Sequence, residues 1–280
     1  MKTIGLVDFY ISEWHANNYP KWIAELCENE GKDFCVKYAW AEEYVSPVDG
    51  RNTDEWCEAF GIEKCDTIVE LCEKSDYIII LAPSDPDKHL GYAKEVLKYK
   101  KNTYIDKTFA PDYATAKEIF NIANTYGTKF FSTSALRYAE ELEAMLGSDY
   151  VITTGGGGNL DEYIIHQIEM AVKVIDKEPL EVKVENQGSQ YISRVKFEDG
   201  KQATMLYAPC YGFSICAEKA GEKPQNKPAS QGFFQTLMAE ILKFFETGEV
   251  PFDANQTLKV MKIREAVIEA KNDLGNWRKV

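Results

Sequence analysis

The chain has 280 residues, 45% of them hydrophobic, with 45 acidic against 32 basic side chains and a formal net charge of −13. That length and apolar content predict a substantial core in two domains, while the negative balance repels a phosphate backbone or an anionic membrane surface and argues against nucleic acid as a partner. No apolar run approaches the roughly 20 residues that span a bilayer, and a strand pattern starts at Thr3 with no signal peptide before it, so no membrane contact and a cytoplasmic location are expected.

From the N-terminus the pattern predicts a strand over 3–8, a helix over 14–30 and a strand over 34–40. Helical stretches near 53–60 and 65–74 precede a strand at 77–82. A helix near 87–99, a strand at 103–106, a helix near 112–126 and a short strand at 129–132 continue the alternation, which describes a doubly wound parallel sheet. Near Thr133 the rhythm changes, giving domains of 1–133 and 134–280. The second begins with a helix near 136–146, a strand near 150–154, the run Gly155-Gly156-Gly157-Gly158 and a helix over 160–176. Residues 180–220 read as short successive strands with a hairpin turn at Asp199-Gly200, hence a largely antiparallel sheet. Two amphipathic helices near 231–247 and 254–273 close the chain. The fold class is therefore α/β: a Rossmann-type unit followed by an α+β unit with an open sheet.

The seven cysteines, at 27, 35, 57, 65, 72, 210 and 216, include no C-x-x-C pair, so reduced, packed thiols are expected rather than a disulfide framework or a metal centre. The run Tyr77-Ile78-Ile79-Ile80-Leu81-Ala82-Pro83, then His89, then Thr103-Tyr104-Ile105-Asp106-Lys107, reads as two buried strands joined by a helix. Ligands of open parallel sheets sit at the carboxyl ends of the strands, which makes Lys107 the first catalytic candidate. A solvated loop lysine fits the same spacing.

These pieces, in this order, resemble the glucose-fructose oxidoreductase, inositol dehydrogenase and rhizopine-catabolism (Gfo/Idh/MocA) family. The likeness rests on Ile80-Leu81-Ala82-Pro83 with His89, on Asp106-Lys107-Thr108 in place of Glu-Lys-Pro, and on Gly158, Glu162, His166 and Glu169, spaced like G-x-x-x-D-x-x-x-H-x-x-D. Arg137 is similar to an arginine in the family's hinge segment. The resemblance implies a nicotinamide dinucleotide, NAD or NADP, over the first domain, and Lys107, Glu162 and His166 at a substrate hydroxyl. It also implies a small polar substrate near Arg137, Tyr163, Glu169 and Tyr211, and a homodimer or homotetramer formed through the second sheet, by residues such as Tyr191, Tyr207 and Phe213. A neutral imidazole suits removal of a hydroxyl proton near pH 7, a lysine cation stabilises alkoxide charge, and Glu162, four residues before His166, shares its helix face.

The first turn departs from this pattern. The three positions of G-x-G-x-x-G hold Val7, Phe9 and Ser12, and Asp8 and Glu13 put negative charge where a diphosphate would lie. Within the resemblance, the cofactor contacts left are Ser12 as helix cap, His15 as a phosphate donor or a packed histidine, Glu42 on the adenosine ribose, and Ala82, Pro83, His89 and Asp106. Two functions follow: an NAD(P)-dependent oxidoreductase acting on the hydroxyl or carbonyl of a sugar, cyclitol or related polyol, or a cofactor-less ligand-binding or regulatory protein of the same fold.

Overall fold

Strands buried on both faces are continuous apolar runs, and Ile78, Ile79 and Ile80 are all fully buried, as a central parallel strand requires. A computed structural model describes residues 1–83 and 85–280. The chain divides into two compact units, one of Met1–Ser132 with Leu237–Pro251 and the other of Thr133–Thr236 with Phe252–Val280.

In the first unit six strands, β1 (Lys2–Tyr10), β2 (Phe34–Glu43), β3 (Glu63–Lys64), β4 (Tyr77–Ile80), β5 (Thr103–Ile105) and β6 (Phe130–Ser132), form one sheet in the order β3-β2-β1-β4-β5-β6. Every pairing is parallel. The order reverses between β1 and β4, so the crevice of a doubly wound sheet opens at their carboxyl ends. Helices α1 (Trp14–Glu30), α2 (Thr53–Phe60), α3 (Ile68–Lys74), α4 (Asp87–Val96) and α5 (Tyr113–Tyr126) make the connections. Gly5 lets α3 come close to β1: a Cβ there would lie 2.4 Å from Ser75 Oγ and 2.6 Å from Leu71 Cδ2.

The second unit holds β7 (Tyr150–Gly155), β8 (Pro179–Gln187), β9 (Gln190–Phe197), β10 (Gln202–Tyr207), β11 (Ser214–Glu218), β12 (Gln225–Pro228) and β13 (Arg278–Lys279), in the order β12-β11-β7-β10-β9-β8-β13. Only β7 and β10 pair in parallel; the other pairings are antiparallel. The turn at Asp199 and Gly200 has positive φ at both residues, 58° and 75°, as a tight hairpin connection favours. Helices α6 (Leu160–Ile175) and α8 (Ala254–Ala270) cover one face.

Three expectations change. The helix expected near 136–146 is two short 3₁₀ turns, Ala135–Tyr138 and Glu140–Met145, separated by Ala139 in an extended conformation. Residues 237–251, assigned from sequence to the second domain, pack with the first unit: in helix α7 (Phe233–Thr247), Phe245 stacks on Tyr77 with ring centroids 4.7 Å apart and Phe244 meets Phe131 edge-on at 5.2 Å. Tyr191 and Tyr207 pair across β9 and β10 on the face that also buries Val195 and Met205, so they point toward the helices rather than toward a partner. The exposed apolar side chains of β7 are Tyr150 and Ile152.

Candidate functional site

Helix α1 begins without the open amides of a phosphate-binding turn. Its N-cap is Glu13 and not Ser12 as expected: the Glu13 carboxylate accepts from His15 N at 2.8 Å and from Ala16 N. A side-chain carboxylate thus sits where an anion would take the free N–H groups and the positive end of the helix dipole. Ser12 is fully buried; it donates from Oγ to Asp49 Oδ2 at 2.8 Å, and its carbonyl accepts from Ser46 Oγ.

His15 is also committed, since Nδ1 lies 3.1 Å from Glu13 Oε2 and Nε2 3.6 Å from Asp106 Oδ2. Asp106, expected to contact a cofactor, is buried; its Oδ1 accepts from Tyr19 at 3.3 Å and Tyr104 at 3.0 Å. Glu13, His15 and Asp106 form a buried carboxylate–imidazole–carboxylate row in place of a phosphate seat.

Beside this row, Asp8 ends the buried part of β1. Its Oδ1 accepts from Phe9 N at 2.7 Å and Ala82 N at 2.9 Å, which fastens the end of β1 to the turn after β4. Ala82 adopts a left-handed backbone with φ 69°, a strained conformation for a residue with a Cβ. Among the described residues, Asp8 Oδ2 is buried without a partner. Burial, and next the charge of Glu13, push the Asp8 carboxyl well above its ordinary pKa. Asp8, Phe9, Tyr10, Ala82, Pro83 and Asp85 line an open cavity of about 190 Å³ at this point.

The remaining candidates of this unit have local partners as well. Glu42, at the end of β2, accepts from Lys88 Nζ at 2.6 Å and the Tyr92 hydroxyl at 2.7 Å, and the Lys88 ammonium chiefly holds its carboxyl below the usual range. His89 is fully buried, with Nδ1 3.0 Å from the Phe109 carbonyl and Nε2 on the Leu81 carbonyl, so it ties two loops together and offers nothing to a cofactor. Burial lowers its pKa. Lys107 is half-buried just past β5 and donates to the Pro83 carbonyl at 3.2 Å.

In the second unit, His166 lies half-buried on α6 with Nδ1 2.6 Å from Ser134 Oγ. Ser134, which sequence reasoning missed, holds this edge of the ring, and Glu162 Oε2 accepts from Asn159 Nδ2 at 3.3 Å. Phe213 and Tyr163 flank the imidazole at centroid distances of 5.4 and 5.8 Å. Arg137 and Glu169, expected to touch substrate, are buried against each other, with Nη1 3.0 Å from Oε2. The guanidinium also covers the Phe252 ring at 4.0 Å, and Glu169 Oε1 accepts from Ser134 N at 3.1 Å. This pair therefore positions the serine that holds His166. Burial raises the Glu169 carboxyl's pKa against the pull of Arg137. Tyr211 is exposed. Gly156 and Gly157 are close-packed: a Cβ on Gly156 would lie 2.0 Å from the Ala208 carbonyl oxygen, and one on Gly157 2.2 Å from the Tyr163 ring.

Among the described residues no group of three or more His, Cys, Asp or Glu side chains is disposed to hold a metal ion. Burial pushes the thiols of Cys57 and Cys65 up to about 11 and that of Cys72 up to about 12, which suits packed cysteines.

Residues 43–134 match the family described as "Oxidoreductase family, NAD-binding Rossmann fold". By sequence, no curated protein matches. Among solved structures the chain is similar to a probable dehydrogenase from Thermotoga maritima, with TM-score 0.78 and 12% identity, covering 99% of this chain and 98% of that one. It is also similar to myo-inositol dehydrogenase from Lactobacillus casei in complex with NAD(H) and myo-inositol, with TM-score 0.78, 11% identity and coverage of 100% and 96%. Scyllo-inositol dehydrogenase from the same organism, with NAD(H) and scyllo-inositol, gives 0.77, 14%, 99% and 98%. At such identities the likeness is one of fold.

The residues at the end of β1 do not fit a dinucleotide diphosphate. Glu13 takes the amides, Phe9 and Tyr10 line the crevice, and three carboxyl groups lie within the turn and behind it. The family match begins at residue 43, beyond this turn. The chain is thus similar to this oxidoreductase family over residues 43–134 and shares the fold of these dehydrogenases over its length, with a first turn built on carboxylates in place of glycines.

Proposed function

We propose that the protein binds a small polyhydroxylated ligand, a sugar, cyclitol or related polyol, on its second unit, and that it does so without a nicotinamide dinucleotide held at the start of α1. The observation that carries the second clause is the Glu13 carboxylate on the amides of His15 and Ala16. The first clause is supported by His166, half-exposed and held by Ser134 between two aromatic rings, as a polar group able to exchange a proton with a ligand hydroxyl. Inositols bound in two proteins of the same fold are compatible with that ligand class.

The test is titration with NADH and NADPH followed by nicotinamide fluorescence and by melting temperature. Saturating cofactor at a hundred times Kd would add about 2.7 kcal/mol of stability; the expected result is no response at millimolar concentration. A second reading, the NAD(P)-dependent oxidoreductase acting on a polyol hydroxyl or carbonyl, is favoured by Lys107, which the fold sets at the carboxyl end of β5. Saturable binding of either nucleotide would restore it. Lys107→Ala and His166→Ala would then each suppress turnover much more than cofactor affinity.

A further inference from the structure

The crevice between β1 and β4 is a built cavity whose chemistry is the reverse of a phosphate site. Its walls are two carboxyl side chains, Asp8 and Asp85, two aromatic rings, Phe9 and Tyr10, and Ala82 and Pro83. Asp8 is 1% exposed, and the backbone N–H groups of Phe9 and Ala82 occupy only one of its oxygens. The other, Oδ2, has no partner among the described residues. A buried acceptor without a donor costs about 1–3 kcal/mol, and the cost persists unless something binds there.

The surroundings select the kind of donor. The negative charges of Glu13 and, more weakly, Asp106 act on Asp8 and oppose an anion here. One face of Phe9 already carries an ammonium, since Lys88 Nζ lies 4.2 Å from the ring centroid, an attraction typical of cations over aromatic rings. Lys88 is held by Glu42 and Lys107 by the Pro83 carbonyl, and neither hydrogen-bonds to Asp8. We propose that this cavity binds a small organic cation, a ligand bearing a protonated amine whose ammonium donates to Asp8 and faces Asp85 while its carbon skeleton lies against Phe9 and Tyr10. The site belongs to the first unit alone and stands whether or not the second unit binds a polyol.

Cyclohexylammonium and its neutral isostere cyclohexanol serve as probes, followed by saturation-transfer NMR and calorimetry. The amine is expected to bind saturably and at least tenfold more tightly than the alcohol. Asp8→Asn keeps an acceptor for the two backbone N–H groups and removes the charge, and it should weaken the amine at least tenfold. Asp85→Asn, at a half-buried loop position, should weaken it severalfold and keeps the test decisive if the Asp8 variant does not fold. Inositol binding to His166→Ala reports separately on the second unit. Equal binding of amine and alcohol, no amine binding at 50-fold excess over millimolar protein, or unaltered amine affinity in the folded variants would overturn the proposal.

Discussion

Removing the internal anion at the start of α1 offers the sharpest check on how the first unit is built. In Glu13→Ala the amides of His15 and Ala16 lose their acceptor, and the His15 ring loses the carboxylate 3.1 Å from Nδ1. Loss of a side-chain N-cap costs about 1–2 kcal/mol, and a charge at a helix N-terminus contributes about 0.3–1 kcal/mol more when partly screened. With Glu13 only 5% exposed, the upper part of both ranges applies, so about 2–3 kcal/mol is expected. For a unit of about 150 residues that corresponds to a fall in melting temperature of roughly 4–12 °C. Glu13→Ser, a neutral residue that caps well, should recover about half. The assay is thermal unfolding together with amide hydrogen exchange, in which His15 and Ala16 should exchange at least tenfold faster in the alanine variant. If all three proteins melt together and exchange alike, Glu13 is not the cap, and the argument against a diphosphate at this turn fails with it.

Breaking the Arg137–Glu169 pair should be costly in a different way, because either charge left alone is buried: Arg137→Met or Glu169→Gln is expected to cost about 3–5 kcal/mol, and the double variant much less than the two together. Additive losses in denaturant unfolding would refute the pairing. Asp8 bears on pH dependence. Its folded pKa is raised, so its contribution is complete below the unfolded carboxylate value of about 3.9 and is lost as pH climbs through the higher folded value. Asp8→Asn should therefore gain stability relative to the parent as pH rises toward neutrality, and a difference independent of pH would count against the burial of that carboxyl. Gly157→Ala would drive a Cβ into Tyr163 at a φ of 150°, costing about 1–3 kcal/mol by strain and overpacking and shifting the His166 ring resonances; a neutral outcome would show that the turn relaxes.

Most of the architecture is legible in the sequence because strands such as 77–80 are unbroken apolar runs and helices such as α5 begin on an evident cap, Asp112. The segment 136–146 is not, since its apolar spacing suits a helix and only the extended backbone at Ala139 breaks it. The return of α7 to the first unit is equally hidden: Phe244 and Phe245 read as one face of an amphipathic helix, with no sign of which sheet they cover. At the site, the missing glycines and the intruding Asp8 and Glu13 are plain in the letters. That Glu13 caps the helix is not, because glutamate is a weak candidate beside Ser12. Ser134 carried no signal at all, for its link to His166 spans 32 residues and depends on Glu169 fixing its backbone N–H.

The stacking of Phe245 on Tyr77 and of Phe244 on Phe131 has a consequence for how the protein is made. The first 132 residues leave the ribosome with the apolar surface of those rings uncovered, and their covering helix is synthesised only after more than a hundred intervening residues. A fragment stopped at the apparent domain break would expose that patch to solvent and to other copies of itself. The shortest piece able to mature as an independent first unit must reach Pro251, since residues 133–236 are inserted between the two stretches of chain that build it.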